Sequence, residues 1–220
     1  MKKILCFINH AINLIYPNVC GICDKISKED LCKKCYLKLN EIAKIEIDYY
    51  KNKNFKKHLY IFKYEGIIKE RLINFKFNER IYIYKSIVNF MIKNKKICGF
   101  LKKYDIIIPV PIHKLRKIER GYNQSALFAK ELAKNFQNLE YSEDILLKKI
   151  NNRPQSTKDK VSREKNVIGA YYLKNKEKIK NKKVLLLDDI YTTGNTVNEC
   201  CKILLQADVK CIDVLTVAKD

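Results

Sequence analysis

Val184-Leu-Leu-Leu-Asp-Asp-Ile-Tyr-Thr-Thr-Gly-Asn-Thr196 decides how this chain is read. It opens as a continuous apolar run, the pattern of a strand buried on both faces. It ends in two adjacent acids, Asp188 and Asp189. A short polar loop follows, Thr192-Thr193-Gly194-Asn195-Thr196, and then an apolar pattern at helical spacing begins. Carboxylates at a strand end can accept hydrogen bonds from sugar hydroxyls or face a hydrated Mg²⁺. The loop and the helix start offer backbone N–H groups and threonine hydroxyls to a phosphate. The segment has the parts of a sugar-phosphate site.

Outward from it, strands alternate with helices, the signature of a mostly parallel α/β sheet covered on both faces. The expected strands are 104–108, 144–148, 167–173, 183–189 and 209–217. The expected helices are 62–77, 81–95, about 125–136 and about 195–206. Residues 49–60, rich in Lys, Asn and Tyr, read as a linker leading into the main domain. In such sheets ligands bind beyond the carboxyl ends of the strands. Two loops lie at such ends, 188–196 and the Pro109-Val110-Pro111 turn with the cationic stretch to Gly121.

Composition sets bounds. A hydrophobic content of 47% over 220 residues supports a packed core. The net charge of +21 favours phosphate-rich partners, nucleic acid included, although a Lys-, Ile- and Asn-rich bias across a proteome would produce the same excess. Arginine is scarce, at six residues. Arg71 and Arg80 fall in helical stretches. Arg116, Arg120, Arg153 and Arg163 fall in polar loop-like segments, where a planar fork of donors suits bidentate phosphate binding. Residues 1–16 carry apolar positions at helical spacing and no cleavage site, which reads as an amphipathic helix rather than a leader. No run approaches the length of a membrane span, and the expected compartment is the cytoplasm.

Cys20-x₂-Cys23 and Cys32-x₂-Cys35 form two knuckles eight residues apart. Two such turns can complete a tetrahedral Zn–S₄ site. A redox pair is the alternative, but no βαβ pattern surrounds these cysteines. Gly21 reads as easing the first turn. A closed four-thiolate site leaves zinc a structural role. The expected division is 1–48, a helix and zinc ribbon, and 58–220, the α/β domain.

The 184–196 stretch resembles the 5-phosphoribosyl-1-pyrophosphate (PRPP) motif of type I phosphoribosyltransferases. The order of an N-terminal helix, CxxC…CxxC, FKYEG…FKF, PVP…R…RGYNQ, RPQ…R…N..GAY and that motif resembles the ComF family, over nearly the whole chain. The resemblance implies a phosphoribosyltransferase-like fold and a link to natural competence, the uptake of transforming DNA. It implies that Asp188 and Asp189 hold the ribose hydroxyls as the catalytic pair, and that Thr192, Thr193, Gly194, Asn195 and Thr196 bind the 5′-phosphate. Val110, Pro111, Lys114, Arg116 and Arg120 would form a pyrophosphate loop. Arg153, Gln155 and Arg163 would lie on a flexible loop over PRPP. The family pattern has Arg just before that loop, where this chain has Lys148-Lys149, and Thr where it has Asn152. Mg²⁺ would accompany PRPP. Three functions stay open: a PRPP- and single-stranded-DNA-binding protein of DNA uptake, a nucleobase salvage enzyme, and a ligand-gated scaffold that docks a competence helicase.

Overall fold

A computed structural model describes residues 18–77, 80–151 and 168–220. The 1–16 segment and Arg153, Gln155 and Arg163 lie outside the described residues. Eight strands and seven helices are assigned within them.

The sheet follows from three apolar runs. Strand β3 (Ile106–Pro109), the Val184–Leu187 stretch of β7 (Lys183–Tyr191) and all but the ends of β8 (Cys211–Lys219) are buried, as strands covered on both faces must be. The strand order is β1-β2-β8-β7-β3-β4, with β1 (Glu46–Tyr49), β2 (Lys57–Lys63) and β4 (Glu140–Tyr141). Only β1 runs antiparallel to its neighbour. Side-chain alternation divides the core. Leu185 and Leu187 join Ile107, Leu215 and Val217 on one face, and Val184 and Leu186 join Ile106, Ile108 and Val214 on the other. The first face is covered by α2 (Gly66–Phe77), α3 (Ile83–Lys93), α4 (Lys95–Leu101) and α6 (Gln124–Ala133). The second is covered by α7 (Asn195–Leu204) and by the separate hairpin of β5 (Leu146–Lys148) and β6 (Tyr171–Leu173). The chain is thus an α/β protein with a mostly parallel sheet and helices on both faces.

The helices form where apolar residues recur at helical spacing. In α2 the buried positions are Ile68, Arg71, Leu72 and Phe75, and in α3 they include Ile83, Ile87, Phe90 and Met91. Each such Ile or Leu contributes about 1.5–3 kcal/mol by leaving water. Helix α4 continues the chain after Asn94, whose side chain accepts hydrogen bonds from the Lys96 and Ile97 N–H groups. The helix expected over 81–95 ends at Lys93, and that cap starts a further helix beyond it that the sequence reading did not include.

Three sequence expectations change. The 49–60 linker is instead the turn of a β1–β2 hairpin and the first half of β2. Its composition hides the strand because two inward positions are polar aromatics, His58 and Tyr60. The His58 ring is fully buried, lies 4.3 Å from the Tyr191 ring and pairs with Thr216 Oγ1 at 2.7 Å. Burial pushes its pKa down to about 4, so it is neutral at ordinary pH. The cationic loop after Pro111 is a helix, α5 (Lys114–Arg120), capped by the His113 side chain and ended by Gly121 at φ 80°. Its two apolar residues, Leu115 and Ile118, stay exposed among four cations, so the stretch reads as a polar loop. Gly21 has no left-handed φ; a Cβ there would fall 2.7 Å from Ile83 Cα. Its role is close approach. The Gly21 N–H reaches Ser86 Oγ at 2.7 Å, seating the first knuckle on α3.

The knuckles themselves follow from local pairing. Val19 and Ile26 bridge across the first turn, and Cys32 caps α1 (Lys33–Ile42), which places Cys35 on its first turn. Cys20, Ile22, Leu31, Cys35 and Leu39 share one core with the first face of the sheet. Asp24 ties this region to the body. Arg71 Nη1 donates to its Oδ2 at 2.6 Å, Arg80 Nη1 donates to the same oxygen, and Tyr82 donates to Oδ1 at 2.9 Å. Burial alone would raise the Asp24 carboxyl, but Arg71 and Tyr82 outweigh it and hold it below the usual range. No described helix is long and apolar enough to cross a membrane.

Candidate functional site: a cationic cleft at the carboxyl end of the sheet

Because β3 and β7 are adjacent and parallel, their carboxyl ends emerge side by side. Val110 N–H reaches Leu187 O at 2.8 Å, which ties the two loops together. Between them opens a cleft of about 520 Å³. Asp188, Asp189, Thr192 and Thr196 line it from β7 and its loop. Val110, Pro111, Arg116 and Arg120 line it from the other loop. Lys114 projects from the exposed part of α5 and is not in the lining, nor are Thr193, Gly194 and Asn195.

The two acids differ. Asp188 continues the row of Val184 and Leu186, and Asp189 that of Leu185 and Leu187. Asp188 Oδ1 accepts from Ser125 Oγ at 2.9 Å and from the Asp189 N–H at 3.0 Å. Burial, and then the neighbouring Asp189 carboxylate, push its pKa well up. Asp189 Oδ1 accepts from the Ile190 N–H at 2.8 Å. The pair therefore holds its acceptors in place, and burial favours the protonated form of Asp188.

The loop after β7 turns on Gly194, at φ 75° immediately before α7. A Cβ there would land on the Tyr191 hydroxyl, and Tyr191 is buried against Tyr50 and His58. Only glycine satisfies both constraints. Gly194→Ala should cost about 2 kcal/mol or more from the left-handed backbone and the overlap. It should lower thermal stability by several degrees and displace the loop, as read by differential scanning calorimetry and by amide exchange confined to 191–197.

The wall opposite the acids is cationic. Arg120 Nη1 donates to Gln124 Oε1 at 2.8 Å, and burial lowers the pKa of its guanidinium. Lys148, at the end of β5, lines the cleft with its ammonium 5.4 Å from the centre of the Tyr171 ring. Burial, and then Arg116, lower its pKa. Lys148 stood in the sequence only as a departure from the family pattern, and the fold brings it into the lining. Tyr64, Lys76, Gln124, Ser125 and Tyr171 also line the cleft and were not singled out. The Gly121-Tyr-Asn-Gln-Ser125 run held a usable signal. Asn123 is a helix cap whose side chain accepts from the Ser125 N–H at 3.1 Å and donates to Val110 O at 3.0 Å. That cap points the start of α6 into the cleft.

The four knuckle cysteines form the second constellation. Their sulfurs lie within 4.8 Å of one another, with Cys23 and Cys32 Sγ 3.9 Å apart. Sulfurs at about 2.3 Å from a tetrahedral zinc stand roughly 3.8 Å apart, so the donor set fits a metal ion.

The phosphoribosyl transferase domain family matches residues 122–220, which include the β7 loop. Competence protein F of Haemophilus influenzae is 31% identical over 150 residues, covering 66% of this chain and 65% of that protein. Competence protein ComFC of Bacillus subtilis is 30% identical over 149 residues, covering 66% of this chain and 57% of that protein. The match thus spans less than two thirds of the length of these two relatives. Competence protein ComFC of Streptococcus pneumoniae is 27% identical over 200 residues, covering 91% of this chain and 80% of that protein. Among solved structures, a hypoxanthine phosphoribosyltransferase from Staphylococcus aureus aligns with a TM-score of 0.39 and 17% identity, over 62% of this chain and 65% of that one. By sequence the chain is thus similar to the competence proteins F and ComFC, and its residues 122–220 match the phosphoribosyl transferase domain family.

Proposed function

We propose that this chain binds PRPP in the cleft at the ends of β3 and β7 and serves natural transformation from the cytoplasmic side of DNA uptake. The observation that carries the reading is one cleft with paired acids on one side and Arg116, Arg120 and Lys148 on the other. The acids suit ribose hydroxyls, and the Thr192–Thr196 loop with the start of α7 suits the 5′-phosphate. The cations suit pyrophosphate, with Mg²⁺ held near the acids and the ligand's own oxygens. Arg153, Gln155 and Arg163 would close over the ligand. The cations that hold pyrophosphate also stabilise it as a leaving group, the part this protein would play in a phosphoribosyl transfer. The competence names of the relatives support the cellular role. The charge of +21 supports single-stranded DNA as a partner, and the cysteine module at 1–48 supports docking of a helicase or another uptake protein.

Calorimetric titration with PRPP in magnesium buffer tests the reading. The wild-type chain should bind, and the chain with Asp188→Asn and Asp189→Asn together should lose at least a hundredfold in affinity. Equal affinity of the two would remove the acids from the site.

A further inference from the structure

Gln124 is the first residue of α6 and is only 2% exposed, yet it lines the cleft. Its amide orientation is determined by its neighbour. Arg120 can only donate, so the atom 2.8 Å from Arg120 Nη1 must be the carbonyl oxygen, Oε1. The other end, Nε2, then carries two N–H groups. Among the described residues it has no acceptor, and it is shielded from water. A buried donor left unpaired costs about 1–3 kcal/mol, and such groups call for an explanation.

The rest of the α6 start is satisfied. Asn123 spends both ends of its amide on Val110 O and the Ser125 N–H, and Ser125 Oγ is spent on Asp188. Gln124 alone keeps an unused donor, beside the guanidinium placed for an anion. Nε2 shares its carbon with Oε1, so while Oε1 is held by Arg120 the unused donor stays beside the guanidinium, on a residue that lines the cleft. Because Nε2 is already out of water, a ligand oxygen that reaches it gains the bond without first stripping a hydration shell.

We propose that Gln124 is a ligand-binding residue whose Nε2 donates to a pyrophosphate oxygen seated against Arg120. This rests on the PRPP reading and assigns a contact to its pyrophosphate half. Oε1 holds Arg120 in place while Nε2 completes the anion's shell, so one side chain serves both.

The test is a double-mutant cycle of Gln124→Met and Arg120→Met, read by calorimetry with three probes in magnesium buffer: PRPP, inorganic pyrophosphate and ribose 5-phosphate. Gln124→Met should weaken pyrophosphate and PRPP about tenfold, the worth of one hydrogen bond to an anion. It should leave ribose 5-phosphate unchanged and change the melting temperature little, because relief of the unpaired donor offsets loss of the Oε1 bond to Arg120. The loss should persist in the Arg120→Met background, since the contact is direct. A loss that vanishes there would overturn the proposal and leave Gln124 as a support for Arg120. Unaltered pyrophosphate affinity, or an equal loss for ribose 5-phosphate, would overturn it as well. A wild-type chain that binds none of the three probes would instead bring down the PRPP reading itself.

Discussion

Replacing Asp188 by Asn should make the protein more stable above neutral pH while it weakens the cleft. The carboxyl is held between Ser125 and the Asp189 N–H in a mostly dry setting, and burial and Asp189 raise its pKa to about 8. In the unfolded chain the same group titrates near 4. The folded state therefore binds this proton more tightly. The contribution is fully present below pH 4, is lost as pH rises toward 8, and is flat beyond. Asn keeps an Oδ1 acceptor for both hydrogen bonds and never ionises. The carboxylate retains some access to solvent through the cleft, so the difference at pH 8 should be about 1–3 kcal/mol rather than the full linkage value. For a chain of this length that is a rise of roughly 2–10 °C in melting temperature. Melting curves of both proteins from pH 4.5 to 8.5 check it: they should coincide at the acid end and diverge toward the alkaline end. Parallel curves would mean that Asp188 ionises freely. The same pKa predicts that PRPP binding near neutrality releases a proton, because ribose hydroxyls favour the carboxylate. Heats measured in buffers of different ionisation enthalpy should reveal it.

Removing the metal from the cysteine cluster should have the largest effect on stability. With Cys20, Cys23, Cys32 and Cys35 the donors all come from a short segment held together by turn hydrogen bonds and the Val19–Ile26 bridge. Its apolar residues Ile22, Leu31 and Leu39 are nevertheless part of the core on the first face of the sheet. Loss of a bound ion would let the knuckles open, and that core would then meet water. Zinc contributes folding energy outright in small modules of this kind, by many kcal/mol. Chelation, or Cys20→Ser with Cys23→Ser, should lower the melting temperature by more than about 10 °C. It should also expose Ser86 and Ile83 of α3, where Gly21 sits. A colorimetric assay should count one zinc released per chain as the transition shifts. Release of zinc with an unchanged melting curve would show that packing alone, through Asp24 and its two arginines, holds the module.

The sequence was most readable where one residue type at one position has a single physical use. An apolar run ending in Asp188-Asp189 and turning at Gly194 could be read as strand, acids and loop because buried strands, paired carboxylates and left-handed turns leave unmistakable patterns. The knuckles were readable for the same reason. Where side chains serve two purposes the sequence pattern is ambiguous. His58 and Tyr60 are polar aromatics that pack inward, so β2 looked like a linker. Helix α5 buries none of its residues, and a single exposed apolar pair, Leu115 and Ile118, is too short a pattern to mark it. Arg71 and Arg80 carried no local sign that they converge on Asp24, some fifty residues away.

By itself, then, the order of residues determined the elements and the chemistry they can carry: a doubly covered sheet, an acidic strand end with a phosphate-type loop, a four-thiolate cluster and a surplus of cations. What only the tertiary structure decided is which groups meet. Parallel pairing of β3 with β7 sets two distant loops side by side, and the β5–β6 hairpin adds Lys148 to the same cleft. Burial then sets the proton affinity of Asp188 and dries the Gln124 amide. Local spacing cannot encode such effects, because desolvation and cross-strand adjacency arise only after the chain has packed against itself.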